Sequence, residues 1–421
     1  MKDTSGYNTW ACGYFSEIVS NAFNQLYQNK AGTADYFANF WVEVAKQFKD
    51  NPAVLGYELM NEPWTGDIFQ DASLLLPGNA GKNLLEPFFN RASDAIRAVD
   101  DETLVFWEPV TYSYFVNPGE HSLLDAFLDA YLKTHNVSIF FPLLEQACGE
   151  LEEIFKTDVA AMPKEIIDGL LTKYFHSLNS VDRSSLAGAA AAVDEPSIWS
   201  PGFSAPPGGP DYLNRTVLSW HYYCWAITDG SDADYDPVIR GVCDDLLGPT
   251  VFSTVEFRAK ELGGSATFLT EFGECEPNAT LTNSTGDIEC NFVLDQADLH
   301  LQSWTYWDTC QGRVFWDADG NPVTDLVKVF TRPYPPATAG IPVRLFFNHA
   351  DRKFEFTFTP DPTITAPTEI FVPPLVYTDG YSVRVSAGVE WQPSPSDGNK
   401  IEVRVTGEVQ GDDITVLIDP I

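Results

Sequence analysis

Two glutamates stand where a chain could use them as a catalytic pair. Glu62 lies near the end of the run "VLGYELMNEPW", residues 54–64, and Glu271 follows "ATFLT" in "ATFLTEFGE". Each comes at the end of a short apolar stretch that reads as a strand, so a rigid element would deliver each carboxylate. A pair of this kind suits glycoside hydrolysis: one carboxyl protonates the leaving oxygen, and the other acts as nucleophile or base across the sugar. In a retaining enzyme the two stand about 5–5.5 Å apart, a spacing that facing strands of a barrel can supply.

Their neighbours suit the same chemistry. Asn61 carries an amide that can donate to the sugar hydroxyl beside the reacting carbon. His221 and Tyr223 close another strand-like run, in "LSWHYYCW". Residues i and i+2 of a strand share a face, so both are expected to reach Glu271, hydrogen-bond it and keep it ionised. Trp307 ends "SWTYW" and offers a stacking floor for a sugar ring, whereas Trp304, Trp220 and Tyr222 read as packing. Glu108, after "TLVFW", is a weaker candidate for a substrate contact, and Glu274 reads as loop. His121, His135, His176, His300 and His349 have no partners at metal-ligand spacing and no C-x-x-C occurs, so no metal site is predicted.

The elements that must position these residues alternate between helical and strand patterns. Thr33 is a candidate cap for a helix whose apolar positions are Phe37, Trp41, Val44 and Phe48, ended by Asn51-Pro52. The strand 54–59 follows, then a helix with Leu85, Phe88, Phe89, Ala92, Ile96 and Val99 on its apolar face. Strands ending at Trp107, His221, Glu271 and Trp307 complete the series, with helices near 251–262 and 293–301 between them. Repeated strand–helix units with polar or aromatic residues at the strand ends predict an α/β fold of the (β/α)8 TIM-barrel type. Five strands are readable, and they read as strands 4–8. The expectation is therefore an N-terminally truncated, partial barrel whose first three strands are missing.

A helical insertion is expected at about 119–194, from runs such as "SLLDAFLDAYLKTH" and "EIIDGLLTKYFHSL". "TRPYPPATAG" reads as a linker, and period-two runs such as Phe354, Phe356, Phe358 and Ile401, Val403, Val405 predict a C-terminal β-sandwich. The expected domains are an incomplete barrel over 1–340 and an accessory sandwich over 341–421.

Composition narrows the partners. Against 60 acidic residues the 421-residue chain carries 25 Lys and Arg, a formal net charge of −35. Such a surface repels phosphate backbones and anionic lipid headgroups, which argues against nucleic acid as a partner and against electrostatic membrane docking. There is no run of 18 apolar residues, and "MKDTSGYNTW" lacks the apolar core of a signal peptide. Sequons at Asn136, Asn214, Asn278 and Asn283 nonetheless favour a secretory route. Among the seven cysteines, Cys224 with Cys243 and Cys275 with Cys290 are plausible disulfide pairs, leaving Cys12, Cys148 and Cys310 as an odd set. A secreted or lysosomal monomer is expected, its signal peptide lost with the missing N-terminus.

In their order and spacing, "LGYELMNEPW", "LSWHYYCW", "FLTEFGE" and "SWTYWD" resemble glycoside hydrolase family 5. The pieces "VAKQFKDNPAVLGYELMNEPWTGD", "HYYCW" and "RPYPPATAG", followed by a sandwich, resemble its endoglycoceramidase branch. The resemblance covers residues 20–118 and 196–421; the inserted segment resembles nothing known. It implies Glu62 as acid/base, Glu271 as nucleophile, and Asn61, His221, Tyr223 and Trp307 as substrate-binding or supporting residues. It further implies retaining hydrolysis of the β-glycosidic bond between oligosaccharide and ceramide, with no metal or cofactor, on a glycolipid that a membrane could present. Two alternatives stay open. One is a family-5 β-glucosidase or glucanase acting on glucosylceramide, sterol glucoside or β-glucan; the other is a non-catalytic remnant that binds carbohydrate or lipid.

Overall fold

The computed structural model describes residues 16–75, 78–110, 201–224, 227, 233–273, 275, 280, 281, 283–308, 315, 316, 319, 321, 322, 324–407 and 413–421. The helical insertion expected at about 119–194 falls outside them, as do Cys12, Cys148, Cys310, Glu274, Asn136 and Asn278. Two compact units divide the chain: Met1–Trp220 with Thr254–Thr267, and His221–Ser253 with Phe268–Ile421.

The alternation of helix and strand is realised as a five-stranded sheet. Its strands are β1 (Gly56–Glu58), β2 (Leu104–Trp107), β3 (Thr216–Tyr222), β4 (Ala266–Phe272) and β5 (Ser303–Trp304), in the order β1-β2-β3-β4-β5. Pairs β1–β2, β2–β3 and β4–β5 run parallel, as strands joined by helical crossovers must. Two strands are shorter than expected. β1 occupies only half of 54–59, with Tyr57 buried and Glu58 exposed, and β5 stops at Trp304. β3, in contrast, is buried at all seven positions, which fits a parallel strand covered on both faces.

The first unit holds helices α1 (Glu17–Tyr27), α2 (Thr33–Phe48) and α3 (Glu86–Arg97) together with β1 and β2, and α2 packs against α1 and α3. α2 departs from its predicted face. Its N-cap is Gly32, in the left-handed conformation at φ 80°, and Thr33 is already helical. The buried positions are Ala34, Ala38 and Ala45, while Phe48, Tyr36 and Phe40 are exposed. Three alanines at helical spacing make a narrow face that brings a neighbouring helix close, and the large rings are pushed to its margins. From there Phe37 reaches Phe88 of α3 (ring centroids 4.7 Å apart) and Trp41 reaches Tyr57 (6.1 Å). Phe88, Phe89, Ala92 and Ile96 of α3 are buried as expected. Buried Arg97 donates to the carbonyls of Thr103 (2.6 Å) and Arg215 (2.9 Å), the residues just before β2 and β3. One side chain thus ties together the starts of two strands.

In the second unit, α4 (Pro237–Val242), the start of α5 (Gly248–Glu261), α6 (Thr285–Leu299) and α7 (Thr324–Phe330) precede eight antiparallel strands. These are β6 (Tyr334–Ala337), β7 (Gly340–Asn348), β8 (Lys353–Pro360), β9 (Thr368–Phe371), β10 (Tyr381–Val385), β11 (Val389–Pro393), β12 (Lys400–Val405) and β13 (Ile414–Pro420). They form two four-stranded sheets, ordered β10-β13-β8-β7 and β11-β12-β9-β6, around one apolar core. The predicted alternation holds: Phe354, Phe356, Phe358, Ile401, Val403, Ile414, Val416 and Ile418 all face that core, while Val405 is exposed. "TRPYPPATAG", expected as a linker, carries β6 and already belongs to the sandwich. Within that stretch, buried Arg332 donates to Asp298 of α6 through Nε (3.0 Å) and Nη2 (2.8 Å) and lies over the Phe347 ring. Burial pushes the Asp295 and Asp298 carboxyls up, and the Arg332 charge pulls against that shift. A guanidinium shared between a helix carboxylate and a strand aromatic anchors the sandwich to α6.

Candidate active site

The stretch around Glu62 owes its shape to groups that seize it as it leaves the sheet. The N–H of Leu59 still donates to Phe106 O at 3.0 Å, so the chain stays paired one residue beyond β1. Pro63 has no N–H and cannot extend the ladder. Beyond it, Trp64 is buried with its indole N–H on Ser20 Oγ (3.0 Å), and the Tyr27 hydroxyl donates to the Trp64 carbonyl (2.8 Å). Asn21 Nδ2 donates to Asp67 Oδ2 at 2.8 Å, and Asp67 Oδ1 accepts the N–H groups of Phe69 and Gln70. α1 therefore supplies the seat for "NEPWTGD".

Glu62 itself lies half-buried at φ 41°, in the left-handed region, which costs a residue with a Cβ about 1–2 kcal/mol. Its N–H donates to Glu108 Oε2 at 2.7 Å. A hydrogen bond to a carboxylate contributes roughly 1.5–3 kcal/mol, enough to offset that strain. Glu108 is 1% exposed, so its carboxylate is engaged with backbone beneath the surface and is not laid open for a substrate. Asn61 is exposed beside Glu62.

The second unit assembles the residues around Glu271. Tyr223 donates its hydroxyl to Glu271 Oε1 at 2.7 Å, as the two-residue periodicity from His221 predicts. His221 is buried with Nδ1 at 3.7 Å from Oε2, longer than a hydrogen bond. The expected hydrogen bond is formed by Tyr223. A phenol hydrogen bond favours the ionised carboxylate, the form a nucleophile needs. Trp307 is 53% exposed, donates its N–H to Phe272 O at 2.9 Å and is joined to Asp308 by a cis peptide bond. Trp304 packs edge-on against Phe272, and Tyr222 packs against Phe252, both as packing residues.

Gly273, inside the quoted motif, carries a role that residue chemistry alone did not reveal. A Cβ there would stand 2.7 Å from Tyr223 Cε1 and 3.1 Å from Trp307 O. Its missing side chain makes room for the phenol that grips Glu271. Gly273→Ala is expected to lower kcat about tenfold or more by displacing Tyr223, with a smaller change in KM; steady-state kinetics on any cleaved glycoside checks this.

Both disulfide pairs read from spacing are formed. Cys224–Cys243 and Cys275–Cys290 have Cα separations of 5.7 and 5.0 Å, and all four residues are buried. They anchor the chain just past Tyr223 and just past Gly273. Closing a loop of this length stabilises a fold by about 3 kcal/mol. The Cys275→Ala/Cys290→Ala variant is expected to show a thermal midpoint several degrees lower, a smaller drop than full reduction of both bridges produces in the wild type. Beside the first bridge, the Tyr235 hydroxyl donates to the buried Glu289 at 2.6 Å. Burial, with Glu289 and Asp244 nearby, pushes the Tyr222 and Tyr235 hydroxyls up. Ligand atoms of Cys224, Cys243 and Glu289 lie within 4.8 Å of one another, but the two sulfurs are bonded to each other and cannot serve as thiolate ligands.

The parallel sheet, the antiparallel sandwich and the carboxylates at strand ends have a counterpart among known families. The chain belongs to glycoside hydrolase family 5: residues 17–313 match the cellulase (glycosyl hydrolase family 5) domain, and residues 332–418 match the family's C-terminal domain. Among individual relatives, it is similar to the endoglycoceramidase of Cyanea nozakii, with 27% identity over 391 residues, covering 90% of this chain and 56% of that protein. Endoglycoceramidase I of Rhodococcus hoagii (strain 103S) is 24% identical over 382 residues, covering 89% of this chain and 56% of its own. The chain thus spans just over half the length of these curated relatives. In fold it is similar to endo-glycoceramidase II from Rhodococcus sp. in its ganglioside GM3 complex, with a TM-score of 0.62 and 21% identity, covering 98% of this chain and 70% of that one.

Proposed function

We propose that this protein is a retaining glycosidase that hydrolyses the β-glycosidic bond between the oligosaccharide and the ceramide of a glycosphingolipid. The observation that carries the mechanism is Glu271 at the end of β4, its carboxylate held at 2.7 Å by the Tyr223 hydroxyl. The substrate class is supported by the relatives that align over nine-tenths of the chain, both of them endoglycoceramidases.

In the first step the Glu271 carboxylate attacks the anomeric carbon while the Glu62 carboxyl gives its proton to the departing ceramide oxygen, leaving a glycosyl ester on Glu271. In the second, Glu62 takes a proton from water, the hydroxide attacks the same carbon, and the sugar leaves with its configuration retained. Asn61 donates to the hydroxyl beside the reacting carbon. Tyr223 and His221 hold the nucleophile's orientation and charge, and the exposed Trp307 ring offers a face to the sugar.

On this reading β1 to β5 correspond to strands 4–8 of a (β/α)8 barrel, residues up to about 340 contribute to that barrel, and the C-terminal sandwich is an accessory. A secreted or lysosomal location is supported by the two disulfides and by the exposure of sequon residues Asn214 and Asn283. A monomer acting on membrane-presented lipid, without metal or cofactor, completes the proposal.

The test is incubation of folded protein with a ganglioside and, in parallel, with a β-glucan. Free oligosaccharide and ceramide from the first, with little sugar from the second, is the expected result. Sugar released from the glucan alone would overturn the substrate class, and release from neither would overturn the activity.

A further inference from the structure

We infer that Glu108 is a positioning residue for the acid/base: it acts on Glu62 through the backbone, not on the substrate. The inference rests on reading Glu62 as the acid/base. Three observations carry it. Glu108 Oε2 accepts the Glu62 N–H at 2.7 Å, Glu108 is 1% exposed, and Glu62 holds a left-handed backbone at φ 41°.

A non-glycine residue stays in that region only where its surroundings hold it there. Upstream, Leu59 N–H bonds Phe106 O at 3.0 Å; downstream, the Trp64 indole N–H bonds Ser20 and the Trp64 carbonyl accepts from Tyr27. Between them Pro63 has no N–H to offer. The Glu62 N–H offers a grip on residue 62 itself, and Glu108, one residue past β2, takes it. Backbone dihedrals at 62 fix the direction of its Cα–Cβ bond and hence where its carboxyl proton is presented. A proton donor must be within hydrogen-bond reach of the leaving oxygen, so a small rotation at residue 62 is felt in the step that needs the proton.

The test compares substrates whose leaving groups do and do not need that proton. Glu108→Leu removes the acceptor, Glu108→Asp draws it back by one methylene, and Glu108→Gln keeps a carbonyl oxygen in place. On a 4-methylumbelliferyl glycoside, kcat/KM is expected to fall about 100-fold in Glu108→Leu and by a smaller factor in Glu108→Asp. Glu108→Gln should retain most of the activity. On the 2,4-dinitrophenyl glycoside, whose leaving group departs unprotonated, all three should remain within about threefold of wild type. Should Glu108→Leu not fold, the contrast between Glu108→Asp and Glu108→Gln decides. Equal losses on both substrates, or no loss in Glu108→Leu and Glu108→Asp, would overturn the proposal. Glu62→Ala is the control. If it shows the same leaving-group dependence while the Glu108 variants do not, only the positioning role fails; if it shows none, the acid/base reading fails and the positioning role with it.

Discussion

Glu271→Gln is expected to reduce turnover of a glycosphingolipid by roughly 10,000-fold while leaving the fold and substrate affinity nearly intact. The amide has almost the volume of the carboxylate and keeps an oxygen where Tyr223 donates, so the 2.7 Å hydrogen bond survives the change. What disappears is the negative charge that attacks the anomeric carbon, and with it the covalent intermediate. Kinetics would register the change in kcat, with KM little moved. A variant retaining a tenth or more of wild-type turnover would remove Glu271 from the nucleophile's role.

Glu62→Ala should fall by about 100- to 10,000-fold, the range general acid–base groups contribute. Its signature differs from that of the nucleophile. On a 2,4-dinitrophenyl glycoside, whose leaving group departs unprotonated, added azide, which needs no deprotonation to attack, should restore turnover and yield a glycosyl azide of retained configuration. Rescue of Glu271→Gln by the same anion, and none for Glu62→Ala, would reverse the two assignments.

How much of this was legible in the sequence depended on whether the signal was local. The strand ends could be read because alternation and termination are local properties: His221 and Tyr223 differ by two residues, and Tyr223 meets Glu271 as expected from a shared face. The sandwich was equally plain, since Phe354, Phe356 and Phe358 repeat a period-two pattern that only a half-buried strand explains. The two disulfides followed from cysteine spacing. What escaped depended on contacts between distant segments. On α2 the aromatics suggested the buried face, yet close approach of neighbours selected Ala34, Ala38 and Ala45. "TRPYPPATAG" looked like a linker because prolines punctuate it, but an edge strand tolerates proline, and β6 pairs with β9. Gly273 and Glu108 were visible as letters, and their roles rest on where Tyr223 and the Glu62 N–H come to lie.

The claim at the centre of this account is that Glu271 forms a covalent glycosyl intermediate. A 2-deoxy-2-fluoro glycoside with a good leaving group would trap that species, because the fluorine slows both its formation and its hydrolysis while the leaving group speeds only the formation. Peptide mapping by mass spectrometry of the inactivated protein should then place one sugar on Glu271. Inactivation with the sugar on another residue, or continued turnover of glycolipid with no adduct formed, would contradict the account.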